Sequence, residues 1–257
     1  MSIGIIGYGF VGQAVASAYI DPYDITIYDP IKYPHISLNY LVKKKPDCCF
    51  ICAPTPMLES GEIDASIVCD ILTELADNEY YGLVVIKSTC LWSYISKFKD
   101  DLRLVVNPEF LTQNNSVEDF KNQNNIVIGC SDILDAKVLE RIYTNGFNLP
   151  NLTNFIHCTE QEAVDIKYIH NIYHAYKVLF WNFVQETTGN ERKIFSAYAK
   201  IRGTTEAAEM ARLCADGRPG YGGACFIKDV GAHNVHHPHL LTNMMIEFNK
   251  QLRDNKP

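Results

Sequence analysis

The stretch that most constrains this chain is Gly7-Tyr8-Gly9-Phe10-Val11-Gly12. It follows the apolar run Ile3-Gly4-Ile5-Ile6 and precedes Gln13–Tyr19, where small and apolar residues recur at helical spacing. A strand that feeds three glycines at this spacing into a helix opens a dinucleotide-binding unit. Gly7 permits the tight turn, Gly9 lets the backbone approach a pyrophosphate, and Gly12 lets helix and strand pack closely. Phe10 and Val11 begin the helix, whose N-terminus offers N–H groups and a positive dipole end to the phosphates. The next β-rich run, Ile25–Tyr28, ends in Asp29, 22 residues after Gly7. A carboxylate there accepts ribose hydroxyls and repels a 2′-phosphate, so the expected cofactor is NAD rather than NADP.

Alternation continues along the chain. Residues 47–52, 83–87, 104–107 and 126–129 read as strands, and 66–76 as a helix with Ile67, Ile71, Leu72 and Leu75 in a stripe. Strands alternating with helices predict an α/β fold with a doubly wound, mostly parallel sheet of Rossmann type. Beyond residue 158 the pattern becomes all-α. Residues 159–187 hold no turn signal and form one long apolar, aromatic helix, with further helices over 191–215 and 238–252. The expected domains are therefore 1–158 for the cofactor and 159–257 for a helical domain.

Composition removes several classes. With 23 Lys and Arg against 30 Asp and Glu the net charge is −7, so no basic face is available to track a nucleic-acid backbone. No apolar run is long enough for a membrane span, and the N-terminus enters a strand rather than a leader. Nine cysteines, an odd number scattered through apolar runs, predict a reduced, cytoplasmic protein. Cys49 and Cys52 form a Cys-x-x-Cys, but inside Cys48-Cys49-Phe50-Ile51-Cys52, which reads as core strand rather than as a redox or zinc motif.

The sharpest local feature is Gly220-Tyr221-Gly222-Gly223-Ala224-Cys225-Phe226-Ile227-Lys228-Asp229. Glycines free the backbone to wrap a ligand, and a cysteine at the start of a helix has a more acidic thiol. Lys228 and Asp229 follow within one helical turn, which predicts a cation and an acid beside the sulfur. A small buried cysteine in a turn, with a surface charge pair, explains the same residues equally well.

Six blocks in order carry a resemblance: Gly7–Gly12, Ala53-Pro54-Thr55-Pro56, Lys87-Ser88-Thr89, Asn107-Pro108-Glu109-Phe110-Leu111, Glu162 through Asn171, and the Cys225 loop. Together they resemble the UDP-glucose/GDP-mannose dehydrogenase family, whose members oxidise the C6 alcohol of a nucleotide sugar to a carboxylate with two NAD. The resemblance implies UDP-glucose as substrate and a place in polysaccharide biosynthesis. It makes Cys225 the nucleophile that forms a thiohemiacetal and then a thioester. Lys167 and Asn171, at i and i+4 of the long helix, would stabilise the oxyanion. Glu109 would handle the hydrolytic water, with Thr89 and Asp229 placing it and assisting proton transfer. It also implies cofactor contacts at Lys32, Pro54, Thr55, Thr89, Gln113 and Lys228. Substrate contacts are implied at Glu109, Phe110, Leu111, Lys167, Asn171, Tyr221, Gly222 and Gly223. No metal is implied, and the long helix would join two copies into a homodimer.

Departures accompany the matches. Gln113 stands where the family has a carboxylate near the cofactor, so altered NAD affinity is expected. The segment before Pro219-Gly220 is short, leaving Arg218 as the one nearby counterpart of a substrate arginine. The family's C-terminal nucleotide-binding domain is expected to be absent. That leaves two other readings open, a two-electron dehydrogenase of another hydroxyl substrate and a non-catalytic NAD-binding subunit that needs a partner chain. His233, His236, His237 and His239 read as a solvated loop between two helices, and His170 with His174 as structural packing rather than metal ligands.

Overall fold

A computed structural model describes residues 1–150, 152–203, 213–214 and 216–254. The chain divides into two compact units, Met1–Thr55 with Asp64–Lys167, and Pro56–Ile63 with Tyr168–Pro257.

The first unit alternates as the sequence predicts. Its elements are β1 (Ile3–Ile6), α1 (Phe10–Ala18), β2 (Ile25–Tyr28), α2 (Leu38–Lys43), β3 (Cys48–Ile51), α3 (Ser66–Asp77), β4 (Leu83–Ile86), α4 (Trp92–Ile95), β5 (Arg103–Val106), α5 (Ser116–Lys121), β6 (Asn125–Gly129), α6 (Ile133–Gly146) and β7 (Asn154–Cys158). The sheet order is β2-β1-β3-β4-β5-β6-β7. The first five strands are parallel, β5 meets β6 antiparallel through Val106 and Gly129, and β6 and β7 are parallel. From β1 the chain steps to β2 on one side and returns to β3 on the other. That reversal opens a crevice at the carboxyl ends of β1 and β3, where doubly wound sheets hold their ligands.

Strand β3 is solvent-free along its length, as a central strand covered on both faces should be. Its two thiols and that of Cys52 just beyond it behave as core atoms: burial pushes Cys49 and Cys52 up to about 12 and moves Cys48 the same way. Ile5, Phe50, Val85 and Val105 from the sheet pack with Val15, Leu139 and Tyr143 from the helices in one core. Edge strand β7 and helices α2, α5 and α6 carry short or mixed patterns, and the sequence reading does not resolve them.

Helix α7 (Glu160–Thr188) begins on a capping box. The Thr159 N–H donates to Glu162 Oε2 at 2.8 Å, and the Glu162 N–H donates back to Thr159 Oγ1 at 3.3 Å. It crosses from the first unit into the second after Lys167. The second unit continues with α8 (Glu191–Arg202), α9 (Gly223–His236) and α10 (Leu240–Asp254). Ala175, Val178, Leu179, Tyr221, Val230, Met245 and Leu252 form its core. The helix expected over 191–215 ends at Gly203, in the left-handed region at φ +66°, and residues 204–212 lie outside the described residues.

Residues 56–63 form a hairpin bridged at Met57 and Ile63, with Leu58 N donating to Glu62 O at 2.7 Å. The hairpin packs on α9, where a Cβ at Gly231 would lie 3.0 Å from Gly61 O. This corrects the expected histidine loop. Helix α9 carries on through His233 and His236, and His236 Nε2 lies 3.0 Å from Glu62 Oε1. An acidic partner on a neighbouring hairpin explains a histidine that local sequence assigns to solvent.

Candidate active site

The glycine turn is built as its sequence requires. Gly7 sits at φ +91°, and its N–H donates to Tyr28 O at 2.8 Å. A Cβ on Gly12 would collide with the Gly7 carbonyl, so helix and strand touch backbone to backbone. A Cβ on Gly9, by contrast, meets nothing within 4 Å. Gly9 caps α1 without a side-chain acceptor, which leaves the N–H groups of Phe10, Val11 and Gly12 facing an open cradle. This is the shape and polarity a pyrophosphate needs.

Asp29 is already tied to the turn. Oδ2 accepts the Tyr8 N–H at 2.7 Å, and Oδ1 accepts those of Ile31 and Lys32 at 3.0 and 2.9 Å. Burial alone would raise this carboxyl, but the three backbone donors and the Lys32 charge hold it below its ordinary value. A carboxylate offers about four acceptor positions, so roughly one stays open for a ribose hydroxyl. Lys32 Nζ donates to Tyr8 O at 2.7 Å and lies 5.3 Å from the Tyr8 ring centre. The turn, the helix end and the anionic Asp29 together fit NAD.

Loops after β3 and β4 lie side by side. Thr55 Oγ1 donates to Thr89 O at 2.8 Å, and Ser88 Oγ to Ala53 O at 2.7 Å. Pro54 is exposed beside them, and Gln113 stands exposed in a short 3-10 turn.

Glu109 and Lys167, 58 residues apart in sequence, form a buried pair in the first unit. Lys167 Nζ donates to Glu109 O at 2.6 Å and lies 3.2 Å from Oε1, with side-chain exposures of 7% and 8%. Glu109 Oε2 accepts the Leu111 N–H at 2.7 Å, and the Lys167 ammonium lies 5.5 Å from the Phe110 ring centre.

In the second unit Gly222 caps α9, placing exposed Cys225 in the helix's first turn. Asp229 does not stand open in solvent. It is 1% exposed, accepts Asn171 Nδ2 at 2.5 Å on one oxygen and pairs with Lys228 Nζ at 2.5 Å on the other. Asn171 lies one turn beyond Lys167 on α7. Tyr221 is buried in the core with its N–H donated to Asn249 Oδ1 at 2.8 Å, and Gly223 opens α9 at φ +73°. Arg218 donates to Arg253 O at the end of α10, and Arg253 pairs with Asp216 at 2.6 Å. Its guanidinium is thus engaged in closing the loop onto α10. Among the described residues no group of three or more His, Cys, Asp or Glu is placed to hold a metal ion.

Lys87, Asn107 and Tyr143, to which local sequence gives no role, meet in the core. Lys87 Nζ lies 2.9 Å from Asn107 Oδ1 and 3.3 Å from Tyr143 Oη. The signal was a lysine directly after the apolar run Leu83–Ile86, at a place where the chain is still inside the sheet.

The model of the NAD binding domain of the UDP-glucose/GDP-mannose dehydrogenase family matches residues 39–146, which hold Thr55, Thr89 and Glu109. A UDP-glucose 6-dehydrogenase of Rickettsia felis is 28% identical over 238 residues, covering 88% of this chain and 52% of that one. The chain spans about half the length of the curated relatives it matches. Among solved structures, a UDP-glucose dehydrogenase from Pyrobaculum islandicum superposes with a TM-score of 0.78 at 20% identity, over 97% of this chain and 68% of that one. Mycobacterium tuberculosis 3-hydroxyisobutyrate dehydrogenase shares the fold at a TM-score of 0.70 and 15% identity, over 99% of this chain and 94% of that one. Residues 39–146 of this chain are thus similar to the NAD binding domain of the UDP-glucose/GDP-mannose dehydrogenase family.

Proposed function

We propose that the protein is an NAD-dependent nucleotide-sugar 6-dehydrogenase of the UDP-glucose to UDP-glucuronate type. The observation that carries this reading is the buried Glu109–Lys167 pair of the first unit. A purely structural helix face has no need to bury a lysine–carboxylate contact.

In this reading Gly7–Gly12 and Asp29 would hold NAD, and two NAD molecules bound in succession would supply the hydride acceptors for the two oxidations at C6, the hydroxyl protons passing to water. Cys225, at the start of α9, adds to the aldehyde left by the first. The resulting thiohemiacetal carbon loses the second hydride and becomes a thioester. Lys167 and Asn171 supply a cation and an amide donor for the oxyanion. Glu109 takes a proton from the water that cleaves the thioester and frees the Cys225 thiol with the sugar acid. Thr89 and Asp229 orient that water, and Asp229 also holds Asn171 and Lys228. Pro54, Thr55, Lys32, Gln113 and Lys228 line the cofactor, while Phe110, Leu111 and the backbone of Tyr221, Gly222 and Gly223 line the sugar.

The working form is a homodimer. Ile169, Tyr173, Tyr176, Phe180 and Phe183 stand exposed on α7 at alternating spacings of four and three, while Ala175, Val178 and Leu179 fill the core on its other side. That is the spacing of a helix seam awaiting a second helix. No helix among the described residues is long and apolar enough to cross a membrane, and nine cysteines with none in a disulfide suit the cytoplasm.

The test is NADH formed per sugar consumed across a panel of UDP- and GDP-sugars. Two NADH per sugar, abolished in Cys225→Ala, is the expected result. One NADH per sugar that survives Cys225→Ala would replace it with a two-electron dehydrogenase. NAD binding without any NADH would make the chain a partner-dependent subunit.

A further inference from the structure

Lys87 is a costly residue where it stands. It follows β4 directly and is 3% exposed. Its ammonium meets neutral groups: Asn107 Oδ1 at 2.9 Å, Asn107 O at 3.2 Å, Tyr143 Oη at 3.3 Å, and the Phe120 ring centre at 5.6 Å. A methionine would fill the same length without bringing a charge indoors. Burial pulls the ammonium down to about 8, against the opposing pull of Cys52 and Glu109. Such a group needs a reason to remain.

All three hydrogen bonds converge on one residue or its partner. Tyr143 Oη donates to Asn107 Oδ1 at 2.5 Å, Asn107 Nδ2 donates to Val127 O at 2.7 Å, and Asn107 N donates to Ile86 O at 2.9 Å. Asn107 is therefore gripped from β4, β6 and α6 at once. Two residues further on is Glu109, whose carbonyl and carboxylate both face Lys167. Pro108 between them has a fixed φ, so the setting of Asn107 passes along the backbone with little slack.

We propose that Lys87 is a positioning residue: it locks Asn107 and through it the Pro108–Glu109 backbone, and so keeps the Glu109 carboxylate in register with Lys167. Its consequence for turnover rests on the reading of Glu109 and Lys167 given above; its consequence for geometry does not.

The Leu111 amide reports that geometry, because it donates to Glu109 Oε2. Amide exchange is read by NMR on the full chain, as wild type, Lys87→Met and Tyr143→Phe. Lys87→Met should speed Leu111 exchange about 10-fold or more and Tyr143→Phe by less, with the Ile5 amide on β1 unchanged within about twofold. Unchanged Leu111 exchange, or Leu111 and Ile5 accelerating together, would overturn the proposal. Where wild type turns over, Lys87→Met should lower kcat about 10- to 100-fold with KM for NAD within about twofold. An unaltered kcat would remove the catalytic part. If wild type forms no NADH with any nucleotide sugar, the dehydrogenase reading falls, and the exchange experiment still decides what Lys87 does.

Discussion

Lys167→Met tests the buried pair at the centre of the first unit. The substitution keeps the length of the side chain and removes its charge. Glu109 is then left 8% exposed with one remaining donor, the Leu111 N–H. Breaking a buried pair from one side costs about 3–5 kcal/mol, because the surviving charge has no compensation. That is a large part of the roughly 5–15 kcal/mol that holds a domain together. The reverse substitution should cost less. In Glu109→Gln the Lys167 ammonium keeps the Glu109 main-chain oxygen, its shorter contact at 2.6 Å, and gains a neutral amide oxygen in place of the carboxylate. We expect about 2 kcal/mol. The double variant buries no charge at this position and should lose only about 1–3 kcal/mol, so the coupling is about 4 kcal/mol. Urea unfolding measures it, with the fluorescence of Trp92 in α4 read in a Trp181→Phe background so that only the first unit is reported. Single effects that add to within about 0.5 kcal/mol would refute the reasoning, because two groups that depend on each other cannot add.

Alkaline pH should weaken the fold. Burial raises the Cys48, Cys49 and Cys52 thiols, the last two to about 12, so the stability they contribute is intact below about 9 and lost as pH climbs toward 12. Each thiol gives up about 1.4 kcal/mol per pH unit in that window. Lys87 acts with the opposite sign: its folded value of about 8 lies below the ordinary lysine value of 10.5, so its contribution grows between those limits. Under reducing conditions the urea midpoint should fall between pH 9 and 10 and fall more steeply in Lys87→Met; a flat profile to pH 10.5 would contradict the burial of these thiols. On α7, Tyr173→Glu with Phe180→Glu should convert the proposed dimer to monomer in sedimentation without lowering the melting temperature by more than a few degrees. A wild-type monomer at micromolar concentration would remove the seam.

Local pattern carried much of this fold and less of the site. The β1–glycine–α1–β2 opening, the solvent-free β3 and the single long helix each rest on neighbours within one or two turns, and those interactions are written in adjacent residues. Edge strand β7 reads Asn-Phe-Ile-His-Cys and is nowhere fully buried, so it lacks the continuous apolar run that marks β3. The hairpin at residues 56–63 could not be read at all, since its partner His236 lies 174 residues from Glu62. Asp229 illustrates the same limit at the site. Spacing placed it near Cys225 and Lys228, but its burial depends on Asn171, 58 residues away. Lys87 looked like an ordinary residue after a strand; only the arrival of Asn107 and Tyr143 makes its position expensive.

The hairpin also determines how the molecule can be divided. The two units exchange the chain at 55/56, 63/64 and 167/168, so the helical unit owns eight residues embedded in the sequence of the other. A fragment cut after Lys167 would carry that hairpin without α9 beneath it, and Met57 and Gly61 would lose the surface at Gly231. A fragment starting at Tyr168 would lack Glu62 opposite His236 and leave the groove at Gly231 uncovered. During synthesis the hairpin emerges more than 150 residues ahead of its partner helix, and closing so long a loop is an entropic cost met only when α9 arrives. Completion of the helical unit is therefore a late, long-range event, whatever the order in which the sheet assembles.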